Sequence, residues 1–138
     1  MASLIYNSAI DDMARGAIDF DTDTFKVMLV TSAYVPSKDS DLKRSNVTNE
    51  VVGTGYTAGG VTSAVTVTKD TANDKVTLAF AAVSWPSSTL TARGCVYYKS
   101  RGGASSADEL VAYNDFISDV STTGGTFAVA SSVITLQN

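Results

Sequence analysis

The first residues in this chain whose type and spacing could do chemistry are three aspartates at alternate positions, Asp19, Asp21 and Asp23. Alternate carboxylates offer hard oxygen ligands to a calcium ion. An EF-hand loop also needs glycine at its sixth place and a bidentate glutamate at its twelfth, where this chain has Thr24 and Val30. The run is read as a turn whose carboxylates accept backbone hydrogen bonds, and no metal is assigned to it. A second invitation is the glycine-rich stretch Gly53-Thr54-Gly55-Tyr56-Thr57-Ala58-Gly59-Gly60. A phosphate cradle needs closely spaced backbone N–H groups at the start of a helix. Here no Gly-Lys-Ser/Thr follows and Val61 to Val67 prefer strand, so the stretch is expected to be a flexible connector.

The remaining routes to catalysis are narrow. Histidine is absent, which removes the commonest general base and the commonest metal ligand together. The single cysteine, Cys95, lies in the apolar run Cys95-Val96-Tyr97-Tyr98 and is expected to be a small core residue rather than a nucleophile. No Gly-x-Ser-x-Gly occurs. A glycosidase-like pair of carboxylates stays open as a distant alternative, a small carboxylate-dependent hydrolase, because acids far apart in sequence can meet in space. The chain has two glutamates, Glu50 and Glu109, and its aspartates lie mostly in turn-like contexts. The expectation is a protein that is not an enzyme and uses no cofactor. Asn46-Val47-Thr48 has the form of a glycosylation acceptor, but without a secretion signal it is read as a polar loop.

The elements that must position these residues follow from periodicity. With 138 residues, one domain covering 1–138 is expected, long enough to bury a core. Leu4, Ile5, Ala9, Ile10 and Met13 recur at three- and four-residue steps, which predicts one short amphipathic helix over 3–16, capped by Ser3 and ended by Gly16. The period then changes to two. Phe25, Val27 and Leu29 share one side of a strand, and Met28 and Val30 beside Lys26 make the other side largely apolar, so this strand is expected to be covered on both faces over part of its length. A long polar loop with one helical turn is expected near 34–50, and a hairpin turn at Lys69 to Asp74.

Further strands are predicted at Leu90 to Tyr98, Glu109 to Phe116 and Thr126 to Leu136, with breaks at Arg101-Gly102-Gly103 and Thr122-Thr123-Gly124-Gly125. The fold class is mainly β: an antiparallel β-sandwich or jelly-roll-like barrel over 24–136 with the one N-terminal helix. Ten basic against fourteen acidic residues give a net charge of -4, the wrong sign for a surface that binds phosphate backbones. No apolar run approaches the roughly 20 residues needed to cross a bilayer, and the start lacks the layout of a secretion signal. The expectation is a soluble protein made in the cytosol, with neither nucleic acid nor membrane as partner.

Large rings beside loops suit either a partner contact or the capping of a sandwich end. Tyr34, Tyr56 and Trp85 are in such places, with Trp85 leaning to the core behind Val83. Adjacent Tyr97 and Tyr98 must face opposite sides, so one points away from the main core, and an exposed ring there would mark a contact face. The candidate contact residues are Ile5, Tyr6, Ile10, Met13, Tyr34, Tyr56 and Tyr98.

Several blocks occur in a distinctive order: Ile5-Tyr6-Asn7-Ser8, the stretch from Ile18 to Val30, Asn49-Glu50-Val51 with Gly53-Thr54-Gly55-Tyr56, and Ala92-Arg93-Gly94 ahead of Tyr97. Together, from about residue 5 to residue 117, they resemble a family of small structural proteins of tailed phages, similar to capsid decoration or cement proteins. That resemblance implies a virion component assembled in the host cytoplasm. Its partners would be the major capsid protein and copies of itself, in a homo-oligomer, and the family brings no catalytic residues. A tail or baseplate component, such as a glycan-binding adhesin-like module, is the alternative.

Overall fold

The computed structural model describes residues 2–138; Met1, the first residue of the expected domain, lies outside the described residues. The period-two pattern becomes two antiparallel sheets. One has five strands in the order β1-β7-β6-β2-β3 and the other three in the order β4-β5-β8. Their ranges are β1 Leu4–Ile5, β2 Phe25–Val30, β3 Val61–Thr62, β4 Val65–Asp70, β5 Lys75–Phe80, β6 Val83–Lys99, β7 Leu110–Val129 and β8 Ser132–Gln137. The architecture is sandwich-like and mainly β with one helix near the N-terminus, as the pattern predicts.

The alternation along β2 decides how the layers stack. Phe25, Val27 and Leu29 face the main core with Cys95, Tyr97 and Val111 of the same sheet and Leu78 and Phe80 of the smaller one. Met28 and Val30 face the other way, into a second buried cluster with Tyr6, Tyr34, Val96, Tyr98, Leu110 and Tyr113. So β2 is covered on both faces, as expected. The second cover is the polar loop, which lays Tyr34 and Val47 over the back of the large sheet. Its one helical turn is the 3-10 turn Arg44–Asn46.

Three local expectations need correction. The helix, α1, spans Asn7–Ala14 rather than 3–16. Leu4 and Ile5 instead pair with Tyr113 and Ala112, and Ser3 caps nothing: its Oγ accepts the N–H of Asp115 at 2.9 Å and donates to Asn114 at 3.2 Å. Apolar spacing of three and four is the same whether Leu4 lies on a helix or on a short edge strand, and the free edge of β7 wins. The far end of the helix is as expected, because Gly16 adopts φ +74 and its N–H reaches Met13 at 3.2 Å.

The predicted break at Thr122 to Gly125 does not end a strand. It lies inside β7, which pairs with β6 as one long ribbon from Val83↔Val129 to Tyr98↔Leu110, and the mismatch is absorbed by register shifts. The largest shift puts Arg93 opposite residues 116–119. There Ile117 sits at φ +74 and exposed, and Arg93 reaches back to Asp115 at 3.0 Å.

The glycine-rich stretch is not a flexible connector either. Gly60 has φ +74, and a Cβ there would fall 1.7 Å from the Val27 carbonyl oxygen, so the glycine lets this loop lie directly on β2. Glu50 ties the loop down, accepting the Tyr56 hydroxyl and the Gly59 N–H, both at 2.6 Å.

Candidate functional site

The acids that could have done chemistry are engaged in holding the fold. In the Asp19 to Asp23 turn, Asp19 accepts the Thr22 hydroxyl and the Asp21 N–H, both at 2.9 Å, and these bonds, the Thr22 one foremost, hold its carboxyl below the usual range. Asp23 accepts the Asp19 N–H at 2.7 Å and pairs with Lys99 at 2.8 Å. The run is the expected turn, closed by its own carboxylates.

Asp108 and Glu109 are buried side by side under cations. Arg44 meets Asp108 at 2.8 Å, while Arg101 and Lys43 meet Glu109 at 2.6 and 3.3 Å. Burial alone would raise the Glu109 carboxyl, but the hydrogen bond from Arg101 and the Lys43 ammonium hold it below its ordinary value. This seam joins the 34–50 loop to the large sheet at the Lys43↔Glu109 bridge. Glu50 and Glu109, the two glutamates of the chain, thus serve different seams. A cleft of about 360 Å³ does gather Asp11, Asp12 and Asp39 beside Lys43. In it, Asp11 holds Arg15 at 2.9 Å, Asp39 accepts the Asn7 side-chain amide, and burial raises Asp12.

The expected contact rings move inward. Tyr6, Tyr34 and Tyr98 are 0, 4 and 1 % exposed, so none of them offers a surface to a partner. Tyr98 does point away from the main core, but the loop covers it. Arg44 lies 5.1 Å over its ring and its hydroxyl donates to the Gly59 carbonyl. The Tyr6 and Tyr34 hydroxyls meet at 2.8 Å, and Tyr34 donates onward to Asp41 at 2.8 Å. These hydroxyls give a buried ring its hydrogen bond inside the chain, which is why each can lie under a loop. Tyr56 is half-buried against Trp85, and Trp85 is in the core as expected. Cys95 is fully buried and its thiol is pushed up to about 12 by desolvation.

Of the contact candidates, Ile5, Ile10 and Met13 keep access to a surface. They line an apolar cavity of about 150 Å³ with Ile134 and Leu136, between α1 and β8. It adjoins a larger cleft of about 670 Å³ between the outer edges of β1 and β8, bordered by Ile5, Val133 and Ile134. The most exposed large apolar side chains here are Val133 at 58 %, Ile10 at 55 % and Leu136 at 42 %.

No protein-family model, no curated protein and no solved structure matches this chain. Its own surface is the remaining guide. Segments 51–68, 76–92 and 120–138 contain no charged residue at all. Pairing brings them together: β5 lies between β4 and β8, and the first half of β6 pairs with the second half of β7. Only the tip of the β4–β5 hairpin, with Lys69, Asp70, Asp74 and Lys75, interrupts this neutral region. The other charges lie on α1, the loops, Lys26 of β2 and the Arg93 to Asp119 stretch. The sign of this division was present in the gaps between charged residues; counting net charge alone conceals it.

Proposed function

We propose that this chain is a structural protein of a tailed-phage virion, a decoration or cement protein that binds the outer capsid shell and acts by contact rather than by catalysis. One observation carries the choice of contact: the neutral, strand-built half of the molecule, on which uncharged hydroxyl and aliphatic side chains face outward. Such a surface can meet a neighbour without stripping water from charges, the costly part of burying a polar face. The resemblance of the blocks between residues 5 and 117 supports the phage shell as the setting. The ion pairs at Asp108 and Glu109 hold the loop layer to the sheet, so the buried carboxylates have a structural use that needs no catalysis. A glycan-binding tail module would favour exposed rings beside loops, whereas Tyr34 and Trp85 are buried and Tyr56 is half-buried against Trp85.

Location tests the reading. Purified particles taken apart in stages, with each fraction assayed for this chain, are expected to release it with the shell. Recovery in tail fractions alone would end the cement assignment.

A further inference from the structure

We propose that β8 is a self-pairing edge, through which two copies of this chain join their smaller sheets into one continuous sheet across a two-fold axis. This adds a self-contact to the cement role proposed above and rests on that reading for its use in the particle, but the pairing itself is argued from the strand.

A sandwich has exposed edges, and an unguarded edge strand is a template for another strand. Here the edges are unequal. β1 and β3 are two residues long, and β4 ends in Lys69 and Asp70. β8 runs six residues, Ser-Val-Ile-Thr-Leu-Gln, with no charge, proline or glycine, and its pairing with β5 is unbroken from Ser132 to Gln137. The guards that protect other edges are absent from this one.

The occupant follows from charge. Copies that each carry -4 repel one another, and an identical surface is complementary to itself most simply where it has no charge. The uncharged segment around β8 extends from Val120 to Asn138. An antiparallel two-fold pairing centred on Ile134 sets Ile134 beside its copy, Leu136 beside Ser132 and Val133 beside Thr135. Partners in such a pair share a face of the sheet. Ile134 and Leu136 lie on the inner side, opposite Leu78 and Val76, so the added strand would extend a roof over the apolar cavity with Ile5 and Ile10. A single contact thus satisfies the open backbone groups and covers the exposed aliphatic side chains.

The test uses outward, exposed positions so that folding is spared. The full chain is run in sedimentation equilibrium over a concentration series, beside V133K and T135E, each with its circular dichroism and melting temperature. The wild type is expected to dimerise, and V133K and T135E to weaken self-association at least roughly tenfold, about 1.4 kcal/mol, while keeping the wild-type spectrum. Mixing V133K with T135E is expected to restore a dimer, because each lysine then faces a glutamate. A wild type that stays monomeric at every concentration overturns the proposal, as does a dimer indifferent to both variants. If the chain alone is monomeric and V133K abolishes binding to particles, β8 pairs with a shell strand, and a second copy is not its partner. A wild-type dimer that binds no particle leaves this pairing standing and removes the cement role instead.

Discussion

At the residue scale, the informative side chain is Glu109. It lies beside Asp108 on the strand side of the seam, and both are satisfied by cations reaching in from neighbouring turns. Its carboxyl is held below the usual range in the folded chain. A depressed carboxyl contributes stability that is present above the unfolded value near 4.5 and is lost as pH falls through the folded value. E109Q is expected to lower stability by about 1–3 kcal/mol at neutral pH, since Arg101 and Lys43 lose their anion. It should also flatten the decline of stability on the acid side. Urea unfolding of both proteins at neutral pH and at pH near 3–4, where carboxylates titrate, checks both effects; an unchanged acid slope would show that other carboxylates dominate.

At the element scale, the loop from Gly53 to Gly60 matters more than its composition suggests. Eight residues rich in glycine read as slack, yet the glycines permit close approach to neighbouring backbone. G60A places a methyl group against the Val27 carbonyl at a left-handed φ, so backbone must move. A loss of roughly 2–4 kcal/mol is expected. Thermal unfolding against G102A is the fair comparison: Gly102 has φ +78 but nothing within 4 Å, so it shares the conformational strain without the collision. Equal losses in the two variants would mean that close packing contributes nothing.

At the scale of the whole molecule, the tyrosines report on both cores at once. All six have raised phenol pKa values, chiefly through burial, with Tyr98 at about 12. A raised phenol contributes stability that is fully present below the ordinary value of 10.0 and is lost as pH rises through the folded values. Tyrosinate absorbance is therefore expected to lag behind pH 10.0 and then appear together with loss of circular dichroism, as both clusters open. A gradual titration around the ordinary value with the spectrum intact would show that the loop layer admits water without unfolding the sheets.

What the amino-acid sequence determined by itself was local. Alternation along Phe25 to Val30 required a strand with two apolar faces, Lys69 to Asp74 required a reversal, and the run around Cys95 required burial, because side-chain period and turn chemistry depend on near neighbours. The neutral region was also written there, as gaps between charges. Only the tertiary structure decided which cover lay over each face. Tyr6, Tyr34 and Tyr98 are interior because a polar loop, far from two of them in sequence, folds back and is locked by Arg44 and Lys43 onto buried carboxylates. Leu4 and Ile5 became strand because β7 had an edge to fill, and β8 became an open edge because, among the described residues, no element lies beyond it in the small sheet. Those outcomes depend on pairings between distant segments, which compete with one another in free energy and leave no mark on the spacing of adjacent residues.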